Sequence, residues 1–121
     1  MSYKFQRWAI PSHMVEGLEA YIKTGRPPGS FLLAVLRNDF VGACNAADDW
    51  NLANLPAYAS YLYKEAPCMS HGSREIVEAW MDKKSAELKL AFEKQLESKA
   101  AELKAAQIRA ARSDAIERGG V

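Results

Sequence analysis

Lys23-Thr24-Gly25-Arg26-Pro27-Pro28-Gly29-Ser30-Phe31-Leu32-Leu33-Ala34-Val35-Leu36 is the stretch on which the fold of this chain turns. Adjacent prolines flanked by glycines cannot lie in a helix interior, because proline lacks the backbone donor and glycine is entropically costly to order. Upstream, Met14, Leu18, Tyr21 and Ile22 recur at the spacing of one helix face, with Ser12 after Pro11 as N-cap and Gly25 as the C-terminal stop. Downstream, Ser30 is placed to cap the apolar run Phe31–Leu36. The stretch therefore reads as a tight corner between two helices.

Beyond Leu36, Asn38-Asp39 bends the second helix, while Phe40, Val41 and Cys44 carry its apolar spacing to Ala46-Ala47. Asp48-Asp49 caps a third helix with a stripe of Leu52, Leu55, Ala59 and Leu62, in which Pro56 is tolerated only near the first turn. The second and third helices form a hairpin. Ala66 to Gly72 reads as a loop, and Ser73 caps a further helix whose Ile76, Val77 and Trp80 face the core.

From Asp82 to Arg118 the composition changes to nine Lys or Arg and seven Asp or Glu among many alanines, without Pro or Gly. High helix propensity makes this one long exposed helix that frays at Gly119-Gly120-Val121. Leu88, Phe92, Leu96, Ala100, Leu103 and Ala110 form a thin apolar seam, which Lys99 and Gln107 interrupt before a leucine zipper is sustained. The expected class is all-α: a small helical bundle with a central helical hairpin and a long C-terminal helix. Residues 1–82 make the hairpin domain and residues 83–121 the charged extension.

A chain of 121 residues that is 49% hydrophobic has enough apolar mass for one core. No apolar run reaches the roughly 20 residues of a membrane span, and the first residues lack the apolar segment of a secretory signal, so no membrane association and a cytoplasmic location are expected. Cys44 and Cys68 are the only cysteines and read as reduced thiols. A formal net charge of +1 argues against binding long nucleic acid, although a small anion needs only a local patch.

The residues capable of chemistry, His13, His71, Cys44, Cys68, Asp39, Asp48 and Asp49, form no diagnostic nucleophile, paired-acid or metal spacing. Asp39 and Asp48-Asp49 read as caps. Neither catalysis nor a metal or other cofactor is expected. The corner is different, because Lys23 and Arg26 supply cations, Gly25, Pro28 and Gly29 shape the turn, and the amides of Gly29 and Ser30 open a helix start. That combination is receptive to phosphate. Trp50, Tyr58, Tyr61, Tyr63 and Trp80, at helical spacings, read as core.

The pattern Ile10-Pro11, Gly17-Leu18, Tyr21-Ile22, Gly25, Pro27, Gly29, Phe31-Leu32, Ala34-Val35-Leu36, Asn38-Asp39, Ala47-Asp48, Asn51, Leu62-Tyr63, Pro67, Gly72-Ser73 and Trp80 resembles a family of small phage proteins. These share a helical hairpin domain found in anti-CBASS, and in part in anti-Thoeris, proteins that sequester cyclic nucleotide immune signals. The likeness covers roughly residues 8 to 82 and leaves out the long helix. It implies a sponge that binds cyclic dinucleotides or cyclic trinucleotides without cleaving them, in pockets between the protomers of a homo-oligomer, often a hexamer. It further implies phosphate contacts from Arg26 and Lys23 and from Arg74 of a neighbouring protomer. The family places an aromatic just after the Ile-Pro pair, where this chain has His13; Trp8 is the alternative stacking partner. The competing expectation is a non-enzymatic interaction protein that acts through its long C-terminal helix.

Overall fold

The structure, a computed structural model, describes residues 2–119, with side chains through Ala111. Six α-helices account for most of it. The chain opens with a small antiparallel hairpin, β1 (Tyr3–Phe5) and β2 (Trp8–Ile10), in the register Tyr3 to Ile10 and Phe5 to Trp8. The helical pattern gave no notice of this hairpin. Gln6 turns it with a left-handed φ of 53°.

Helix α1 (Ser12–Thr24) starts one residue earlier than a Ser12 cap would require, with Pro11 in the cap position. It buries Val15, Leu18 and Tyr21 and ends at Gly25, in the left-handed conformation at φ 73°. A side chain at Gly25 would be strained by that φ, and its Cβ would sit 2.9 Å from the Met81 carbonyl oxygen and from Lys84 Cβ. The stop signal is thus also a packing site.

Helix α2 (Ser30–Leu36) is capped by Gly29, with Ser30 as its first residue, and buries Phe31, Leu32, Ala34 and Leu36. The bend expected at Asn38-Asp39 is a full break: Asn38 adopts φ 59°, and the Asp39 carboxylate caps a separate helix, α3 (Phe40–Ala46), by accepting from the Gly42 amide at 2.9 Å. Turned outward by this break, Phe40 and Val41 are exposed.

Asp48 caps α4 (Asp49–Ala53), accepting from the Asn51 amide at 2.7 Å. Asn54 ends α4 and precedes α5 (Leu55–Lys64), whose first turn contains Pro56. Restarting the helix resets its phase. The buried face of α5 is Ala57, Tyr58, Ser60 and Tyr61, while Leu52 and Ala59 of the expected stripe are exposed. The hairpin expectation survives as the packing of α5 on α2, where Phe31 and Tyr58 meet edge to face at 5.0 Å. Of the aromatics expected in the core, Tyr58, Tyr61 and Trp80 are buried, whereas Trp50 and Tyr63 are exposed.

After a 3-10 turn at Cys68–Ser70, α6 (Arg74–Gly119) begins, with the Ser73 hydroxyl accepting from the Ile76 amide at 3.2 Å. Val77 and Trp80 enter the core, and Trp80 Nε1 donates to the Tyr21 carbonyl at 3.3 Å. Chain contacts separate a first unit ending at Ala86 from a second beginning at Glu87. The second is helix alone, and its described side chains, including Leu88, Phe92, Leu96 and Leu103, are exposed. Gly120 and Val121 lie outside the described residues. Among the described residues, no helix is long and apolar enough to cross a membrane.

Candidate binding clefts

The corner between α1 and α2 closes over a cleft of about 420 Å³. One wall is a face of α1, where His13, Glu16, Gly17 and Ala20 align because residues three and four apart share a side of a helix. Arg26, Pro27, Pro28 and Gly29 of the connecting coil make the opposite wall. At Gly17 the two helices face each other: a Cβ there would lie 3.4 Å from Leu32 Cδ1, an ordinary contact distance.

Within this cleft Arg26 is exposed, and its guanidinium has no protein partner among the described residues. The local backbone is held by Thr24, whose hydroxyl donates to the Ala20 carbonyl at 2.6 Å and accepts from the Arg26 amide at 3.3 Å. Opposite stands Glu16, a carboxylate that repels a phosphate placed too far from Arg26. Glu16 was absent from the sequence reading. The signal was nevertheless present, since residue 16 lies one helical turn from His13.

The anticipated site residues divide into two groups. His13, Arg26, Pro28 and Gly29 come together on the cleft. Gly25 is buried against α6, Lys23 points to solvent in the last turn of α1, and Ser30 is exposed beside the cleft without lining it. Helix α2 has only seven residues, which limits the field its N-terminus can supply. Trp8 is elsewhere, stacked on Phe5 at 6.0 Å and covered by the Arg7 guanidinium at 4.6 Å. Arg74 is a surface residue paired with Glu78 at 3.2 Å.

His13 also lines a second cleft, of about 290 Å³, with Pro11, Asp48, Trp50 and Asn51. Here Tyr58 Oη donates to Asn51 Oδ1 at 2.6 Å. Burial, with the Asp48 charge adding to it, pushes the Tyr58 phenol up to about 12, so it remains a neutral donor. A third depression, lined by Val35, Phe40, Ala43, Leu55 and Pro56 among others, is largely apolar. Among the described residues, no group of three or more His, Cys, Asp and Glu is placed to hold a metal ion.

What these features define is a mostly α-helical protein with a mixed-charge cleft at a helix corner. No family model, curated protein or solved structure matches the chain.

Proposed function

We propose that this chain is a non-catalytic binding protein that sequesters a small phosphodiester signal, a cyclic dinucleotide or cyclic trinucleotide, and releases it unchanged. The observation that carries this reading is the convergence of Arg26, His13 and Glu16 on one cleft of about 420 Å³, a size within the roughly 300–1,000 Å³ of small-molecule sites. Arg26 offers a fork of donors to a phosphate, and His13 a flat ring to a base. Glu16, acceptor-only when ionised, directs the phosphate toward the arginine and takes a base donor itself.

The same reading, together with the likeness described above to phage proteins that counter CBASS and Thoeris defence, makes the chain a phage-encoded immune-evasion protein of the host cytoplasm, acting as a homo-oligomer, in the family's manner often a hexamer. Arg74 would then contact the ligand's phosphate from a neighbouring protomer, with Lys23 backing up Arg26 at the corner.

Calorimetry of the purified protein against cyclic di- and trinucleotides tests the reading directly. Binding of at least one ring, followed by recovery of that ring intact after denaturation, is the expected result. Recovery of a linear product, or no heat with any ring, overturns it.

A second reading is favoured by the exposed Leu88, Phe92, Leu96 and Leu103 of the second unit, which would dock a partner helix. Phe92→Glu separates the two: a sponge keeps its ligand affinity, whereas an interaction protein loses its partner.

A further inference from the structure

We propose that α6 pairs antiparallel with α6 of a second copy of this chain, each copy seating Phe92 in a hollow of the other. Leu88, Phe92, Leu96 and Leu103 of the second unit are exposed, Phe92 by 61%. Phe92 and Leu103 are 11 residues apart on one helix. Eleven residues make three turns at about 3.67 residues each, so these side chains stay on one face without the heptad of a leucine zipper. On that face Leu88, Ala91, Phe92 and Gln95 enclose a shallow hollow. Their positions, i, i+3, i+4 and i+7, are the four corners of a hole that receives one side chain from a facing helix. Ala91, the small corner, leaves room for a large side chain.

Helix geometry selects the occupant. The hollow is centred between Ala91 and Phe92. When a second copy runs antiparallel with Phe92 on the two-fold axis, its own Phe92 stands at that level, and the symmetry makes the contact reciprocal. The same register sets Leu88 of each copy opposite Leu96 of the other, four residues to either side of Phe92.

The charges agree with this register. Lys89, Glu93 and Glu97 follow one another at intervals of four and share a flank of the helix, and antiparallel pairing brings like flanks together. Lys89 faces position 95 of the second copy, two residues or about 3 Å along the axis from Glu93 and from Glu97. Over the same stretch Glu87, Glu93, Glu97 and Glu102 balance Lys89, Lys94, Lys99 and Lys104, so the helix presents no net field to a strongly acidic or basic partner. A reversed copy of itself meets lysine with glutamate. The inference rests on the helix-docking reading above, to which it gives a partner, and not on a ligand in the corner cleft.

The test weighs the full chain by analytical ultracentrifugation across a concentration series, in reducing buffer so that the exposed Cys68 forms no cross-link. Wild-type protein is expected to double in mass as concentration rises. Phe92→Glu, at an exposed position outside the core, should weaken the association about thirtyfold or more. Lys89→Glu and Glu93→Lys should each weaken it about fivefold. Mixing these two variants in equal amounts should restore most of the loss, because a mixed pair sets opposite charges at both contacts, which no exchange within one helix can do. Circular dichroism checks that each variant keeps its helix content; if Phe92→Glu does not, the mixing experiment decides alone. A wild-type protein that stays monomeric overturns the pairing. So does association that Phe92→Glu leaves unchanged, or a mixture no stronger than its parts. The wider docking reading falls on a different result, a complex with another protein that survives Phe92→Glu.

Discussion

Tyr21 Oη donates a hydrogen bond of 2.7 Å to the carbonyl of Ser70, joining α1 to the turn before α6 across 49 residues of sequence. Both residues are fully buried. Removing the hydroxyl strands a carbonyl that water cannot reach. Tyr21→Phe should therefore cost about 1–3 kcal/mol, read as a lower denaturation midpoint with unchanged helix content. An unchanged midpoint would mean that Ser70 finds another donor.

Burial pushes the phenols of Tyr21 and Tyr58 up to about 12, from an ordinary value of 10.0; Arg37 opposes the shift at Tyr21 and Asp48 adds to it at Tyr58. Each binds its proton more tightly in the folded state, so the associated stability is complete below pH 10 and disappears as pH climbs toward 12. At about pH 11 the two together should have lost roughly 3 kcal/mol relative to neutral pH. Tyr61, raised by burial and by Glu19, Glu65 and Tyr3, acts in the same direction. Urea unfolding across the alkaline range measures the slope, and Tyr58→Phe should flatten it.

Gly25→Ala places a methyl group 2.9 Å from the Met81 carbonyl oxygen and from Lys84 Cβ, at a φ of 73° that disfavours any L side chain. The left-handed conformation alone costs about 1–2 kcal/mol, and the contact adds to it. Thermal unfolding should show a loss of at least that size. A Gly29→Ala control, with nothing within 4 Å of its added Cβ, should be close to neutral.

Gln6 turns the β1–β2 hairpin at φ 53°, where glycine is free of the side-chain penalty. Gln6→Gly should stabilise the protein by about 0.5–1 kcal/mol, or leave it unchanged if the greater entropy of the unfolded glycine cancels the relief. A marked loss would show that the Gln6 side chain has a structural partner.

In the corner cleft, Arg26→Ala should weaken a bound cyclic dinucleotide by about tenfold or more, since a charged hydrogen bond contributes roughly 1.5–3 kcal/mol. Glu16→Gln should tighten it if the carboxylate chiefly repels phosphate, and weaken it if the carboxylate accepts from the base. Calorimetry on the two variants distinguishes these roles.

Much of the architecture was legible because it rests on local rules. Gly25 as a stop, Asp39, Asp48 and Ser73 as caps and the long helix after Asp82 follow from donors, φ preferences and propensity within a few residues. The stripe assigned to Leu52, Leu55, Ala59 and Leu62 failed because a break at Asn54 reset the helical phase, and periodicity assumes an unbroken helix. Phe40 and Val41 failed similarly, turned outward by Asn38.

The site was legible only in part. Arg26 and the glycine-proline coil stood out by composition, and helix arithmetic from His13 would have reached Glu16 and Gly17. Nothing local marks Trp8 as occupied by Phe5 and Arg7, or Trp50 as exposed when Trp80 is buried.

By itself, then, the sequence determined the helical class, most helix ends, the corner and its cation, because capping, backbone conformation and charge act over one or two turns. Tertiary structure alone decided which side chains share a cleft. Pro11 and His13 meet Asp48, Trp50 and Asn51 there, and Asn51 accepts a hydrogen bond from Tyr58 of another helix. Those meetings depend on how the packed core orients separate helices, and burial across tens of residues leaves no mark in the spacing of either one.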